Sequence, residues 1–309
     1  MKIMTGSLLS FFIGLNFFSY NTLQAKPLNK KYGVTQNGKM PERKLQQVSQ
    51  NVQRAQENMS QSHYEDVVYD PQKARNDEER LAGLSAREIF ILVDRSGSMN
   101  APDDDPTGSK QRRWTRWDSA RVASESIAEL ALSLDRDGKV DIMLWDGDQY
   151  SRLNSKYSSM NQVGQISKLF RDNPPSRGST PLAEALEEMY RSHLQSLLQR
   201  SEPFTVVILT DGAPNDPVKV KNFFKKVVND NRLEQKGRET LAAFSFVRMG
   251  DDPGAINFLN DLDDNLINQI DIGVDIVDAK EDNFLFGTGS FARKEGVGPF
   301  ALFWDALYD

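Results

Sequence analysis

The sequence predicts an α/β fold, a doubly wound, mostly parallel central sheet flanked by helices. Three observations point to it. Two continuous apolar runs, Glu88-Ile89-Phe90-Ile91-Leu92-Val93 and Phe204-Thr205-Val206-Val207-Ile208-Leu209-Thr210, lead directly into aspartates, Asp94 and Asp211. Runs without polar alternation are what strands buried on both faces require. Segments of helical period lie between such runs, and strand followed by helix, repeated, makes a sheet covered on both sides.

In chain order, residues 1–25 come first. They carry one charge, Lys2, and then Leu8, Leu9, Phe11, Phe12, Ile13, Leu15, Phe17 and Phe18. That run has the length of a signal-peptide core and is short for a membrane span. It predicts export, to a periplasm or the outside. Cleavage would follow Ala25, although Leu23 is a poor match to the small residue usual at that place. Left uncleaved, residues 3–20 would anchor the chain to a membrane. The absence of cysteine suits an oxidising compartment without requiring one.

Residues 26–86 form a polar connector. Within residues 41–61, Leu45, Val48, Val52, Ala55 and Met59 recur at spacings of three and four behind Pro41. This spacing predicts an amphipathic helix, which either lies on the folded domain or serves as a docking helix.

The folded domain is expected over residues 87–280. Besides the two apolar runs, Lys139 to Trp145 and Thr240 to Val247 are strand candidates. Ile270, Ile272, Val274 and Ile276 alternate as a strand nearer an edge would. Ala120, Ala123, Ile127, Leu130 and Leu134 share a helix face, as do Leu182, Leu186, Met189, His193 and Leu197 behind Pro181. Val218, Phe223, Phe224 and Val227 mark a third helix, and Ile256, Phe258, Leu259 and Leu262 a fourth. The aromatic tail, residues 281–309, predicts a closing helix from Pro299, with Phe300, Phe303, Trp304 and Leu307 on one side.

Composition removes several functions. The 309 residues carry 38 Lys and Arg against 44 Asp and Glu, a net charge of −6, so nucleic acid is not an expected partner. Without cysteine there is no zinc-thiolate site and no Cys nucleophile, and His63 and His193 alone cannot build a multi-histidine metal site.

In sheets of this kind ligands bind beyond the carboxyl ends of the strands. Asp94, Ser96 and Ser98 leave the first apolar run at every second residue, and Gly97 lets the turn tighten. Arg177-Gly178-Ser179-Thr180-Pro181 places hydroxyls directly before a helix, and Thr210-Asp211-Gly212 ends the second run. Carboxylates and hydroxyls with no His or Cys make a hard-oxygen site, suited to Mg²⁺, Mn²⁺ or Ca²⁺ and not to Zn²⁺.

Together these three elements resemble the von Willebrand factor A (VWA) domain with its metal-ion-dependent adhesion site (MIDAS), over roughly residues 87–280. Arg116-Trp117-Asp118 and Asp211-Gly212-Ala213-Pro214-Asn215-Asp216 bring the resemblance nearer to small bacterial proteins with one such domain than to animal integrins. The resemblance implies a Rossmann-like layout. It implies that Ser96, Ser98 and Thr180 bind Mg²⁺, or Mn²⁺ or Ca²⁺, through hydroxyls, while Asp94 and Asp211 act through waters. It implies cation-dependent binding of a protein that offers an Asp or Glu carboxylate, with no chemical step. It also implies a final helix that moves with the metal site, where a static closing helix is the alternative.

Two other functions stay in view. One is an envelope-assembly scaffold that does not need the metal. The other is a metal-dependent hydrolase; an aspartyl nucleophile of that kind needs a second Asp where Ser96 stands, and a P-loop is absent. The long connection Asn100 to Thr115 holds Asp103, Asp104, Asp105, Lys110, Arg112 and Arg113. It either borders the metal and selects the partner or is a solvated insertion. In Trp145-Asp146-Gly147-Asp148, either Asp146 or Asp148 enlarges the acidic cup, or the segment makes a plain turn. His193 is expected in the core or at its rim.

Overall fold

The computed structural model describes residues 87–103, 113–134, 137–148, 150 and 152–281, with Leu84, Leu285, Leu302 and Phe303. The expected leader, the connector with its helix over 41–61, and most of the tail lie outside the described residues. Among the described residues no helix is long and apolar enough to cross a membrane.

The fold is α/β. Among the described residues the six strands are β1 (Glu88–Asp94), β2 (Val140–Gly147), β3 (Leu153–Met160), β4 (Phe204–Thr210), β5 (Ala242–Arg248) and β6 (Val277–Glu281). They lie in the order β3-β2-β1-β4-β5-β6. Every pairing is parallel except that of β3 with β2. From β1 the chain steps outward through β2 to β3, then returns to lay β4 on the other side of β1. The strand order reverses between β1 and β4, where such sheets bind ligands.

The helices include α1 (Arg116–Leu134), α2 (Gly164–Asp172), α3 (Leu182–Met189), α4 (Gln195–Gln199), α5 (Pro217–Asn231) and α6 (Pro253–Ile270), with a π turn over Tyr190–Leu194 joining α3 to α4. Two hydrophobic clusters result. In β1, Ile89, Ile91 and Val93 join a cluster with α1 and α2. Phe90 and Leu92 join the opposite one, with α3 to α6. The period of two in the strand thus divides one apolar run between two cores.

The sequence expectation fails in three places. The segment Ile270 to Ile276 is not a strand. Ile270 closes α6, Asp271 takes a left-handed conformation (φ 53°) as its cap, and the Ile272 N–H donates to the Ile267 carbonyl at 3.2 Å. Ile272, Val274 and Ile276 are buried in a connecting loop, and the strand begins only at Val277. Second, β3 and α2 were not expected. Third, Val218 is exposed, because it sits in the first turn of α5 before the helix meets the core.

Candidate metal centre

Asp94 is the last residue of β1 and is fully buried. Its Oδ1 accepts the backbone N–H of Ser96 at 2.8 Å, which folds the loop back over the strand end. Its Oδ2 accepts the Thr210 hydroxyl at 2.8 Å, from the end of β4. The loop then enters a short 3₁₀ turn, Gly97–Asn100, anchored by buried Met99. Ser96 Oγ and Ser98 Oγ stand 3.0 Å apart, and the Ser98 hydroxyl donates to Asp211 Oδ1 at 2.8 Å. Four expected site residues, Asp94, Ser96, Ser98 and Asp211, therefore converge at the switch point of the sheet.

Thr180 arrives from a third element. Its loop is tied down by backbone bonds: Ser176 N–H to the Arg95 carbonyl (2.9 Å), Gly97 N–H to the Gly178 carbonyl (3.2 Å) and Gly147 N–H to the Ser179 carbonyl (2.9 Å). A Cβ at Gly178 would run into the Gly147 carbonyl oxygen, so only glycine allows this approach. Asn215 holds Thr180 from the other side. Its Oδ1 accepts the Thr180 N–H at 3.2 Å, and its own N–H donates to the Thr180 carbonyl at 3.0 Å. The Thr180 hydroxyl thus lies beside the end of β4, 3.9 Å from where a Cβ of Gly212 would stand.

Both carboxyls are pushed up by burial. Burial, and then the neighbouring charge of Asp211, push the Asp94 carboxyl up to about 7. Burial raises Asp211 as well, against the opposing effects of Ser98 and Arg116. Arg116, the first residue of α1, donates from Nη1 to Asp211 Oδ2 at 3.0 Å. A divalent cation fits this environment. The converging donors are all oxygens, and the buried acids carry a negative charge that such an ion relieves. Among the described residues no three of His, Cys, Asp and Glu cluster as ligands. Hydroxyls would have to supply much of the shell, and hydroxyls are what the two carboxylates have beside them.

Other expected residues sit elsewhere. Asp146 is buried and both its oxygens are engaged, Oδ2 by Arg95 at 2.7 and 2.9 Å and Oδ1 by Asn154 Nδ2 at 2.9 Å. It braces the loop after β1 against the edge strand. Asp103 accepts the Ser119 hydroxyl at 2.5 Å in the first turns of α1. Arg113 is exposed, while Asp104, Asp105 and Arg112 lie outside the described residues. His193 is half-buried in the π turn and stacks on Tyr157 with ring centroids 4.2 Å apart; burial lowers its pKa.

Sequence reasoning gave no site role to Arg116 or Asn215. Nothing local to Arg116 announced its partner. Thr115 and Asp118 cap α1, with the Thr115 hydroxyl donating to Asp118 Oδ2 at 2.7 Å. The helix dipole disfavours a cation there by only about 0.3–1 kcal/mol, too little to point to an acid on another strand.

No protein-family model matches the sequence, and no curated protein matches it significantly. Several solved structures are similar in the course of the chain. The crystal structure of the SpRpn10 VWA domain matches with 12% identity and a TM-score of 0.43, over 63% of this chain and 87% of that one. The conserved hypothetical protein BatB from Bacteroides thetaiotaomicron matches at 18% identity and TM-score 0.38, over 52% of this chain and 66% of that one. The manganese-loaded TRAP protein of Plasmodium vivax matches at 16% identity and TM-score 0.40, over 65% of this chain and 70% of that one.

Proposed function

We propose that this chain is a VWA-type, divalent-cation-dependent protein-binding module, and that binding is its whole task, with no chemical step. The observation that carries the reading is the single hydrogen-bonded network joining Asp94, Ser96, Ser98 and Asp211 at the switch point, with Thr180 held beside it.

Ser96, Ser98 and Thr180 would hold Mg²⁺, Mn²⁺ or Ca²⁺ through their hydroxyls. Asp94 and Asp211 would orient the outer shell. The bound ion supplies a Lewis-acidic position that takes an Asp or Glu carboxylate from the partner. The protein's part is electrostatic restraint. Asp94 already spends its two oxygens on Ser96 and Thr210, and Asp211 on Ser98 and Arg116. Fewer direct carboxylate bonds leave the ion more charge for an incoming acid.

Titration calorimetry of the full-length chain with Mn²⁺ and Mg²⁺, beside an Asp94→Ala/Ser96→Ala double variant, tests this. Binding in the wild type that disappears in the variant is expected. A folded wild type that binds neither ion overturns the metal reading and favours a scaffold that works without it. Export belongs to the same proposal. The chain should be recovered outside the cytoplasm, starting after Ala25 or still held in a membrane by residues 3–20. Recovery only in the soluble cytoplasm defeats that part.

A further inference from the structure

Arg116 is the cation in contact with this site, and its surroundings do not explain it as packing. Nη1 binds Asp211 Oδ2 at 3.0 Å, while the Ser98 hydroxyl occupies the other oxygen of the same carboxylate. Nη2 reaches Asp251 at 3.4 Å, but Asp251 is almost entirely exposed, and such a pair contributes little. Nε is buried with no hydrogen-bond partner. A group placed for its own satisfaction would not leave a buried donor unpaired.

The fold nevertheless fixes it there. Gly250, after β5, has φ +72°, and a Cβ on it would collide with Nε of Arg116. The left-handed conformation favours glycine there, and its missing Cβ leaves room for the Arg116 side chain. The guanidinium also sits in the first turn of α1, where the helix dipole disfavours a cation. What remains to hold it is Asp211.

We propose that Arg116 is a built-in counter-cation of the site that sets how weakly the bare site holds a divalent ion; this rests on the metal reading above. A guanidinium stays charged at any pH the protein meets. Without metal it compensates part of the charge of Asp211 and keeps that carboxylate in place. With metal it remains as a fixed positive charge near the ion. Like charges repel, so the bare site binds Mg²⁺ or Mn²⁺ more weakly than its acids alone would allow. The same charge strengthens the pull on a partner's carboxylate. Metal and partner then bind tightly only together. Arg116 is a positioning residue and touches neither ligand.

The sign of one variant separates this from a merely structural role. Arg116→Gln keeps a donor for Asp211 and removes the charge. In the full-length chain it should bind Mn²⁺ about tenfold more tightly than wild type by calorimetry. Arg116→Lys keeps the charge and should stay near wild type. If Arg116 only props the site, Arg116→Gln will bind equally or more weakly, and the inference falls while the metal reading stands. A wild type that binds no Mn²⁺ defeats both. Should Arg116→Gln not fold, the wild type decides: the resonance of the buried Nε–H of Arg116, assigned by its loss in Arg116→Lys, should shift as Mg²⁺ saturates the site. An unmoved resonance overturns the proposal.

Discussion

Asp94 shows how one residue links site and stability. Its carboxyl titrates near 3.8 in an unfolded chain and at about 7 in the fold. Between those values the folded chain holds a proton that the unfolded chain has lost, so stability falls as pH rises through that window. Asp263 behaves alike: burial and the charge of Asp278 raise it to about 7 as well. The two would separate by metal: on the proposed metal reading, a cation at the site would displace the proton of Asp94 and leave Asp263 untouched. In EDTA, the denaturation midpoint of the full-length chain should fall between about pH 4 and about pH 7. Saturating Mg²⁺ should shrink that fall, and Asp263→Asn in Mg²⁺ should remove most of what is left. Identical profiles with and without Mg²⁺ would sink the role given to Asp94.

At the scale of elements, the site depends on a loop lying unusually close to a strand end. The Gly147 N–H donates to the Ser179 carbonyl at 2.9 Å, and a Cβ on Gly178 would strike the Gly147 carbonyl oxygen. Backbone meets backbone there, and neither side can swing away. Gly178→Ala should therefore cost about 1–3 kcal/mol in a urea denaturation, and by displacing Thr180 it should weaken Mn²⁺ binding too. Full retention of both would mean that the loop does not set the third ligand. The elements also differed in how legible they were. β1 and β4 could be read because both their faces are covered, which forces unbroken apolar runs. β3 could not: its sequence, Leu153-Asn154-Ser155-Lys156-Tyr157-Ser158-Ser159-Met160, buries only Met160 outright at the sheet edge. Ile270, Ile272, Val274 and Ile276 misled in the opposite way, since a buried loop alternating over the core imitates a strand. The motif residues Asp94, Ser96, Ser98 and Asp211 were legible because their order along the chain matches the order of strand ends. Arg116 was not legible as part of the site, since nothing local says that the start of α1 meets the end of β4.

The described residues form a sheet between two cores, and the Ser96–Ser98 loop reaches one of them through Met99. Met99, next to Ser98, is buried in the cluster that also holds Leu84, α1, α2, Leu302 and Phe303. Phe204 belongs to the opposite cluster and opens β4, at the far end of that strand from Asp211. Both phenylalanines are fully buried, so truncating either to alanine should cost about 3–5 kcal/mol of stability. Their effects on the site should differ. Phe303→Ala opens a void in the cluster to which Met99 belongs, and if that cluster seats the Ser96–Ser98 loop, Mn²⁺ affinity should drop. Phe204→Ala leaves that cluster whole and should bind Mn²⁺ as wild type does, once measured below its lowered melting temperature. The comparison needs both variants, because a loss of affinity shared by the two would reflect only a weaker fold. If Phe303→Ala loses stability but keeps its affinity, the Ser96–Ser98 loop is held by Asp94 and the backbone alone, and the core beneath Met99 has no part in shaping the site.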